Sequence, residues 1–384
     1  MKRHMIGLVA MALAINFAGC ATEPGTGANG SAAPNGDGSA KTSKAPPLKK
    51  TGLLIEPVDA LAIGYSVHWA THISVPNAEK ISAAAVLDDL LVTVESPSHI
   101  VTAINMKTGR MAWRSKIANP FDNIYTPRRI DQKILVNTET HLYELSALTG
   151  KIISRADLTA PVNSAPAIVG EFAIFGGSNG MVFGHDTRTG YAKWRYKLPS
   201  QILVPAQVIS SQVFIATSSG RYVSFNGRTG EVLWRGKTFA RVSATPAISP
   251  LGVFVASEDH SLYGLQRATG EDRWIFRYTA PLKHTPQVIR SSLYVTLPTG
   301  ELVALKATDG KELWRVNTKD KLITNDQNGL VFLGDKKIIL RETNTSKVID
   351  QVPTKKLQTI LPASDKSLVL ISSDGFIVKI SPSS

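Results

Sequence analysis

Cysteine is nearly missing from this chain of 384 residues: Cys20 is the only one. No disulfide can form within the chain, so burial and hydrogen bonding alone must hold its fold. Long apolar runs are equally scarce. The single candidate, Met5 to Phe17, is too short to span a bilayer as a mature helix. No stretch shows a convincing helical period, which excludes helical bundles and alternating α/β folds. Acidic side chains are few, 30 against 43 Lys and Arg, which leaves a formal charge of +13. Constellations that carry chemistry are missing too. No phosphate-cradling glycine loop precedes a helix, and no carboxylate pair or Ser/His/Asp set can be located. His68 and His72 share a strand face, but four residues along a strand is roughly 13 Å, too far for a shared metal. The chain is read as non-catalytic, with no metal and no cofactor.

At the N-terminus, Lys2, Arg3 and His4 precede the apolar run, and small residues then lead to Cys20 in "NFAGC". This is the layout of an export leader. A stray thiol is the plain alternative, but burial is excluded at the edge of a leader. The stretch resembles the bacterial lipobox, which implies cleavage before Cys20, acylation of that residue and a membrane anchor. Ala21 and Thr22 follow without an aspartate, which by resemblance to enterobacterial sorting favours the outer membrane, with the protein facing the periplasm. Residues 21 to 50, rich in Gly, Ser, Ala and Pro, cannot bury enough surface to order themselves and read as a tether. The expected division is a signal peptide over 1–19, an acylated cysteine with its tether over 20–50, and one folded domain over 51–384.

What the folded part has in plenty is a repeat. "MKTGRMAWRSK" (106–116), "TRTGYAKWRYK" (187–197), "GRTGEVLWRGK" (227–237), "RATGEDRWIFR" (267–277) and "ATDGKELWRVN" (307–317) are variations on one phrase, with a degenerate copy at "ALTGKIISRAD" (147–157). Their glycines, Gly109, Gly150, Gly190, Gly230, Gly270 and Gly310, lie 41, 40, 40, 40 and 40 residues apart. Short strands at that period demand a propeller, because one blade cannot bury both its faces alone. Within one period four strands are predicted, over 165–169, 171–178, 181–187 and 191–198. Trp113, Trp194, Trp234, Trp274 and Trp314 each stand four residues after a turn glycine, whereas Ser154 breaks the series. The sixth tryptophan, Trp69, lies in "YSVHWATHIS", which looks like an outer strand without a blade. The C-terminal "SLVLISSDGFIVKISP" looks like inner strands without an outer one. Joining the two closes the ring. With a weak unit at 319–353, the count is eight four-stranded antiparallel blades.

The pattern A-x-D-x-x-T-G-x-x-x-W resembles the pyrroloquinoline-quinone-like propeller repeat. Ala103, Asn105, Thr108, Gly109 and Trp113 match it, and Asp186, Asn226 and Gln266 fill the polar position elsewhere. The resemblance implies that all six tryptophans dock between neighbouring blades, and each indole N–H then needs a carbonyl partner. Quinone dehydrogenases share this propeller but use adjacent cysteines and a metal site, so the missing cysteines argue against that reading. A lipoprotein leader, a tether, an eight-bladed ring and "NSAPAIVGEFAIFGGSNG" (163–180) together are similar to the BamB family of outer-membrane lipoproteins. That resemblance implies a non-catalytic scaffold of the β-barrel assembly machinery, with the barrel-forming membrane subunit as partner. "LTAPVN" (158–163) stands where family members can carry the Leu-Ser-Leu-Arg-Gly stretch that grips that subunit.

Charge and loops supply the remaining expectations. Without Lys2 and Arg3 the net charge is +11, and the tether accounts for +2 of it. Lys107, Arg188 and Arg228 precede turn glycines by two, and Arg114, Arg195, Arg235 and Arg315 directly follow tryptophans, so part of the excess repeats around a rim. Anionic lipid or glycan headgroups, peptidoglycan or an acidic partner could be attracted to such a rim, and a solvated basic rim is the simpler reading of the pattern. The export signal excludes nucleic acid. His99 and His260 occupy the hairpin position of Gly180, Gly220 and Gly300, and are expected to be exposed turn residues. In the connections entering each blade, Phe121, Tyr125, Ile202, Leu203, Phe239 and Arg241 are the candidate partner contacts if exposed; otherwise the apolar ones line the interior. A binding module for glycan or peptidoglycan, or an accessory lipoprotein of another secretion apparatus, is the alternative function.

Overall fold

The computed structural model describes residues 52–76, 79–117 and 122–383. Cys20, the leader, the tether up to residue 50 and Phe121 lie outside the described residues. The rest forms eight antiparallel sheets of four strands. Seven blades follow one another along the chain at 80–116, 128–157, 167–197, 207–237, 247–277, 287–317 and 321–353. They are numbered 1 to 7 below. Blade 8 combines Leu357–Pro362, Leu368–Ser372 and Phe376–Pro382 with Tyr65–His72, which pairs from Tyr65↔Pro382 to His72↔Phe376 as its outermost strand. The propeller and its closure are therefore as the repeat demands. In the third blade the four strands are Ala167–Val169, Phe172–Gly176, Met181–Asp186 and Tyr191–Lys197, within a few residues of expectation.

Burial follows from position in the blade. Every residue of Phe172–Gly176 and of Leu368–Ser372 is buried, because a middle strand meets a neighbouring blade on each face. Tyr191–Lys197 alternates between exposed and half-buried, as an outer strand with one wet face must. Eight apolar clusters result, one for each seam between neighbouring blades.

Six of these seams are fastened in the same way. Each indole donates its N–H to the carbonyl three residues before the next blade's turn. Trp69 reaches Met106 at 2.9 Å, Trp113 reaches Ala147 at 2.8 Å, and Trp194 reaches Gly227 at 3.1 Å. Trp234 reaches Arg267 at 2.9 Å, Trp274 reaches Ala307 at 3.2 Å, and Trp314 reaches Thr343 at 2.9 Å. The ring, buried in Trp69, Trp113 and Trp234 and half-buried in the other three, contributes apolar area and its polar edge is satisfied.

The two remaining seams use other means. Between blades 2 and 3, where Ser154 replaces tryptophan, Lys133 Nζ donates to the equivalent carbonyl of Thr187 at 2.9 Å and to Glu144 at 2.8 Å. Between blades 7 and 8, Leu54, Ile55, Ala60 and Ile63 of the N-terminal segment fill the gap. That segment includes a helix, Pro57–Ala62, which sequence periodicity did not predict because six residues make too short a window. Pro57 at its first turn was the only local signal.

Candidate partner-binding surfaces

Antiparallel four-stranded blades give the ring two unlike faces. One carries the glycine turns between third and outer strands. The other carries the hairpins between second and third strands and the connections that lead into each new blade.

On the turn face the polar residue of the repeat closes the turn in blades 1, 3 and 4. Asn105 Oδ1 accepts from the backbone N–H groups of Lys107 and Thr108 at 3.0 Å each, and Asn226 Oδ1 accepts from Arg228 at 3.0 Å. These are side-chain-capped structural turns. Their basic residues are partly neutralised: Arg188 lies 3.0 Å from Glu171 and 3.3 Å from Asp186. Burial works to raise the Asp186 carboxyl, yet the hydrogen bonds and charge of Arg188 hold it below the usual range.

The connection face separates the candidate contacts. Ile202 is fully buried, at 0% exposure, in the seam between blades 3 and 4, so it offers no contact surface. A Cβ added at Gly176 would lie 2.5 Å from Ile202 Cγ2, so the missing side chain at Gly176 makes its socket. Leu203 beside it is half-buried. Tyr125 is also half-buried, its hydroxyl donating to Val162 O at 3.3 Å. Burial, with the charge of Glu139, raises that hydroxyl's pKa. Phe239, by contrast, is 85% exposed. Its backbone N–H donates to Asp259 Oδ2 at 2.8 Å, which fixes the loop while leaving the ring in water. Arg241 follows two residues later, half-exposed, with Nε 3.9 Å from Glu258, a carboxylate that Lys283 approaches equally closely. Phe239 and Arg241 thus belong to one loop at the seam between blades 4 and 5, whereas Tyr125 precedes blade 2. In 158–163, Ala160 and Val162 are buried between blades 2 and 3.

Each outer strand also leaves one backbone edge unpaired, and some edges are apolar. Leu148 is 81% exposed in the turn of blade 2, with Ile152 and Ile153 exposed on the strand after it. Val348 and Ile349 do the same in blade 7. Sequence reasoning passed over these residues. The adjacent isoleucines of "GKIISRAD", in the copy that has lost its tryptophan, were the available signal.

The histidines do not converge. Among the described residues no group of three or more His, Cys, Asp or Glu could hold a metal ion. His72 Nε2 lies 3.1 Å from the Asp374 carbonyl, and its ring packs on Phe376. His260 is exposed, but His99 is only 3% exposed, correcting the expectation that both lie in water. Both take the positive φ of the glycines they replace, 56° and 70°.

Residues 97–251 and 203–378 match the family model for outer membrane protein assembly factor BamB. No curated protein matches the chain. Among solved structures, BamB from Moraxella catarrhalis superposes with a TM-score of 0.64 at 20% identity, over 82% of this chain and 98% of that one. The computationally designed protein Ika8 gives 0.65 at 14% identity, over 81% and 98%. The C-terminal WD40 domain of Sif2 gives 0.62 at 9% identity, over 83% and 99%. At these identities the superpositions speak for the propeller fold.

Proposed function

The chain belongs to the family of outer membrane protein assembly factor BamB, and from that membership we propose that it is a non-catalytic scaffold in the assembly and insertion of outer-membrane β-barrel proteins. The family match, which together spans 97–378, is the observation that carries this reading. In it, residues 1–19 are a signal peptide, and Cys20 is acylated and holds the protein to the periplasmic side of the outer membrane. The tether over 20–50 then reaches on the order of 30 Å from the lipid, at about 5 to 6 Å times the square root of its length. The folded domain follows over 51–384.

The proposed partner is the barrel-forming membrane subunit, met by the connection face. Phe239 and Arg241 are the contacts this reading favours: an exposed aromatic on a pinned loop loses little freedom on docking, and Arg is enriched at such anchors. Leu203, on the connection into blade 4, is the neighbouring candidate, and Tyr125, on the connection into blade 2, would be a separate contact; Phe121 stays a candidate from the sequence alone. The stretch 158–163, lacking the family's gripping residues and partly buried, contributes less. A strand of the partner could also extend an unpaired outer edge.

A photocrosslinking amino acid placed at position 239 in the native organism tests the contact. Crosslinks to the barrel-forming subunit from position 239, and not from position 313 on the outer rim, are expected. Crosslinks from 239 to peptidoglycan or to another secretion complex would refute the assignment.

A further inference from the structure

The outer half of the seam between blades 3 and 4 opens into a groove of about 280 Å³. Its lining includes Tyr196, Pro199, Arg221, Val223, Arg235 and Lys237, and it contains no carboxylate. Strand register explains why the cations converge. Arg221 pairs directly with Lys237, and Val223 with Arg235. Side chains two apart share a face, and Phe225 on that face meets Trp194 and the edge of Tyr196 in blade 3. Arg221, Arg235 and Lys237 therefore look into the same seam. Lys197 borders the groove too, but its ammonium donates to the Asn179 carbonyl at 2.5 Å.

This arrangement opposes folding. Like charges placed directly across a strand pair repel each other. In blades 1, 2 and 6 the residue at the same position has a side-chain partner, whereas Arg195 of blade 3, which does not line the groove, has none among the described residues. Arg114 reaches the fully buried Glu95 at 2.5 Å. Arg315 reaches Glu312 at 2.7 Å and lies 3.7 Å from Glu301. Arg155 bonds His141 at 2.8 Å and lies over the Tyr143 ring. Among the described residues Arg221, Arg235 and Lys237 have no such partner. Two guanidinium forks and an ammonium around one small concavity suit an anion with several acceptor oxygens and more than one charge.

From this we infer that the groove between blades 3 and 4 is a binding site for a phosphate group, carried by an anionic lipid headgroup or by a soluble phosphate ester. Arg221 and Arg235 grip the phosphate oxygens, Lys237 adds charge, and Tyr196 with Pro199 packs against the carbon substituent. The groove of about 280 Å³ has room for one headgroup. The assignment does not depend on which protein the connection face meets.

The test is calorimetric titration of the full chain with inorganic phosphate, with dihexanoyl phosphatidylglycerol below its micelle-forming concentration, and with a deca-glutamate peptide. Binding of either phosphate compound is expected. Binding of phosphatidylglycerol alone assigns the site to lipid, and binding of both assigns it to the phosphate group itself. In Arg221→Gln/Arg235→Gln/Lys237→Gln the affinity should fall by about tenfold or more for each cation lost. The control Lys107→Gln/Lys151→Gln/Lys311→Gln removes equal charge from the turn face and should bind as the wild type does. Each variant is first checked for a single cooperative thermal transition, and the groove variant should melt no lower than the wild type because it relieves the repulsion between Arg221 and Lys237. The proposal is overturned by no binding of either phosphate compound, by equal loss in the control, or by binding of deca-glutamate in preference to both.

Discussion

Gly150 and Gly190 hold the same place in the repeat, at φ +69° and +77°, but meet different surroundings. A Cβ at Gly150 would lie 2.4 Å from the Trp113 ring, whereas at Gly190 nothing lies within 4 Å, because Ser154 stands where the preceding blade's tryptophan would be. Gly190→Ala should therefore cost only the left-handed backbone penalty, about 1–2 kcal/mol. Gly150→Ala should cost about 1–3 kcal/mol more for overpacking. Denaturant midpoints of the two variants give the comparison, and equal losses would mean that the indole yields freely. Asp365 sets a pH dependence at the same scale. Burial works to raise its carboxyl, but Lys379 Nζ at 2.8 Å and Ser367 bring it down to about 2. The folded value lies below the unfolded one of about 3.9, so the pair's contribution is complete above about pH 4 and fades as the pH falls through about 2. Asp365→Asn should flatten that part of the acid-unfolding curve and leave its shape near neutrality unchanged.

The seam between blades 2 and 3 tests whether a side-chain ion pair can stand in for a tryptophan. Lys133 ties the nearly buried Glu144 to the next blade's Thr187 carbonyl. Lys133→Met strands that carboxylate and should cost about 2–3 kcal/mol, while Lys151→Met in the exposed turn should change stability by less than about 0.5 kcal/mol. A small loss at Lys133, read from thermal unfolding, would show that the apolar cluster alone holds this seam. The elements themselves were legible in the sequence because turn glycine, tryptophan and strand alternation are local and repeat every 40 residues or so. The tryptophans' carbonyl partners were legible as a requirement, though not by residue. Lys133 was not legible, since its partners lie on other strands and on the next blade. Ile202 stayed open between contact and interior, because its packing against the next blade is not local in the chain, and the burial of His99 in its hairpin was not read. The candidate surface was therefore legible in part. Phe239 and Arg241 stand exposed, while the apolar edge of blade 2 and the cationic groove beside blade 4 depend on pairing across strands.

The whole ring depends on a non-local closure, because Tyr65–His72 covers the edge of Phe376–Pro382 and supplies Trp69 to the seam with blade 1. A chain lacking residues 52–72 should lose cooperative calorimetric unfolding, since it exposes a strand edge and empties two seams at once. Trp69→Ala should retain cooperative unfolding and cost about 3–5 kcal/mol. Closure also sets the connections into successive blades side by side on one face. The central claim is that this surface serves the assembly of outer-membrane β-barrels. Its most direct test is to deplete the protein in its own organism and quantify folded outer-membrane β-barrel proteins by their heat-modifiable migration. The account predicts a fall in folded barrels that the wild-type chain restores; unchanged levels of folded barrels after full depletion would contradict it.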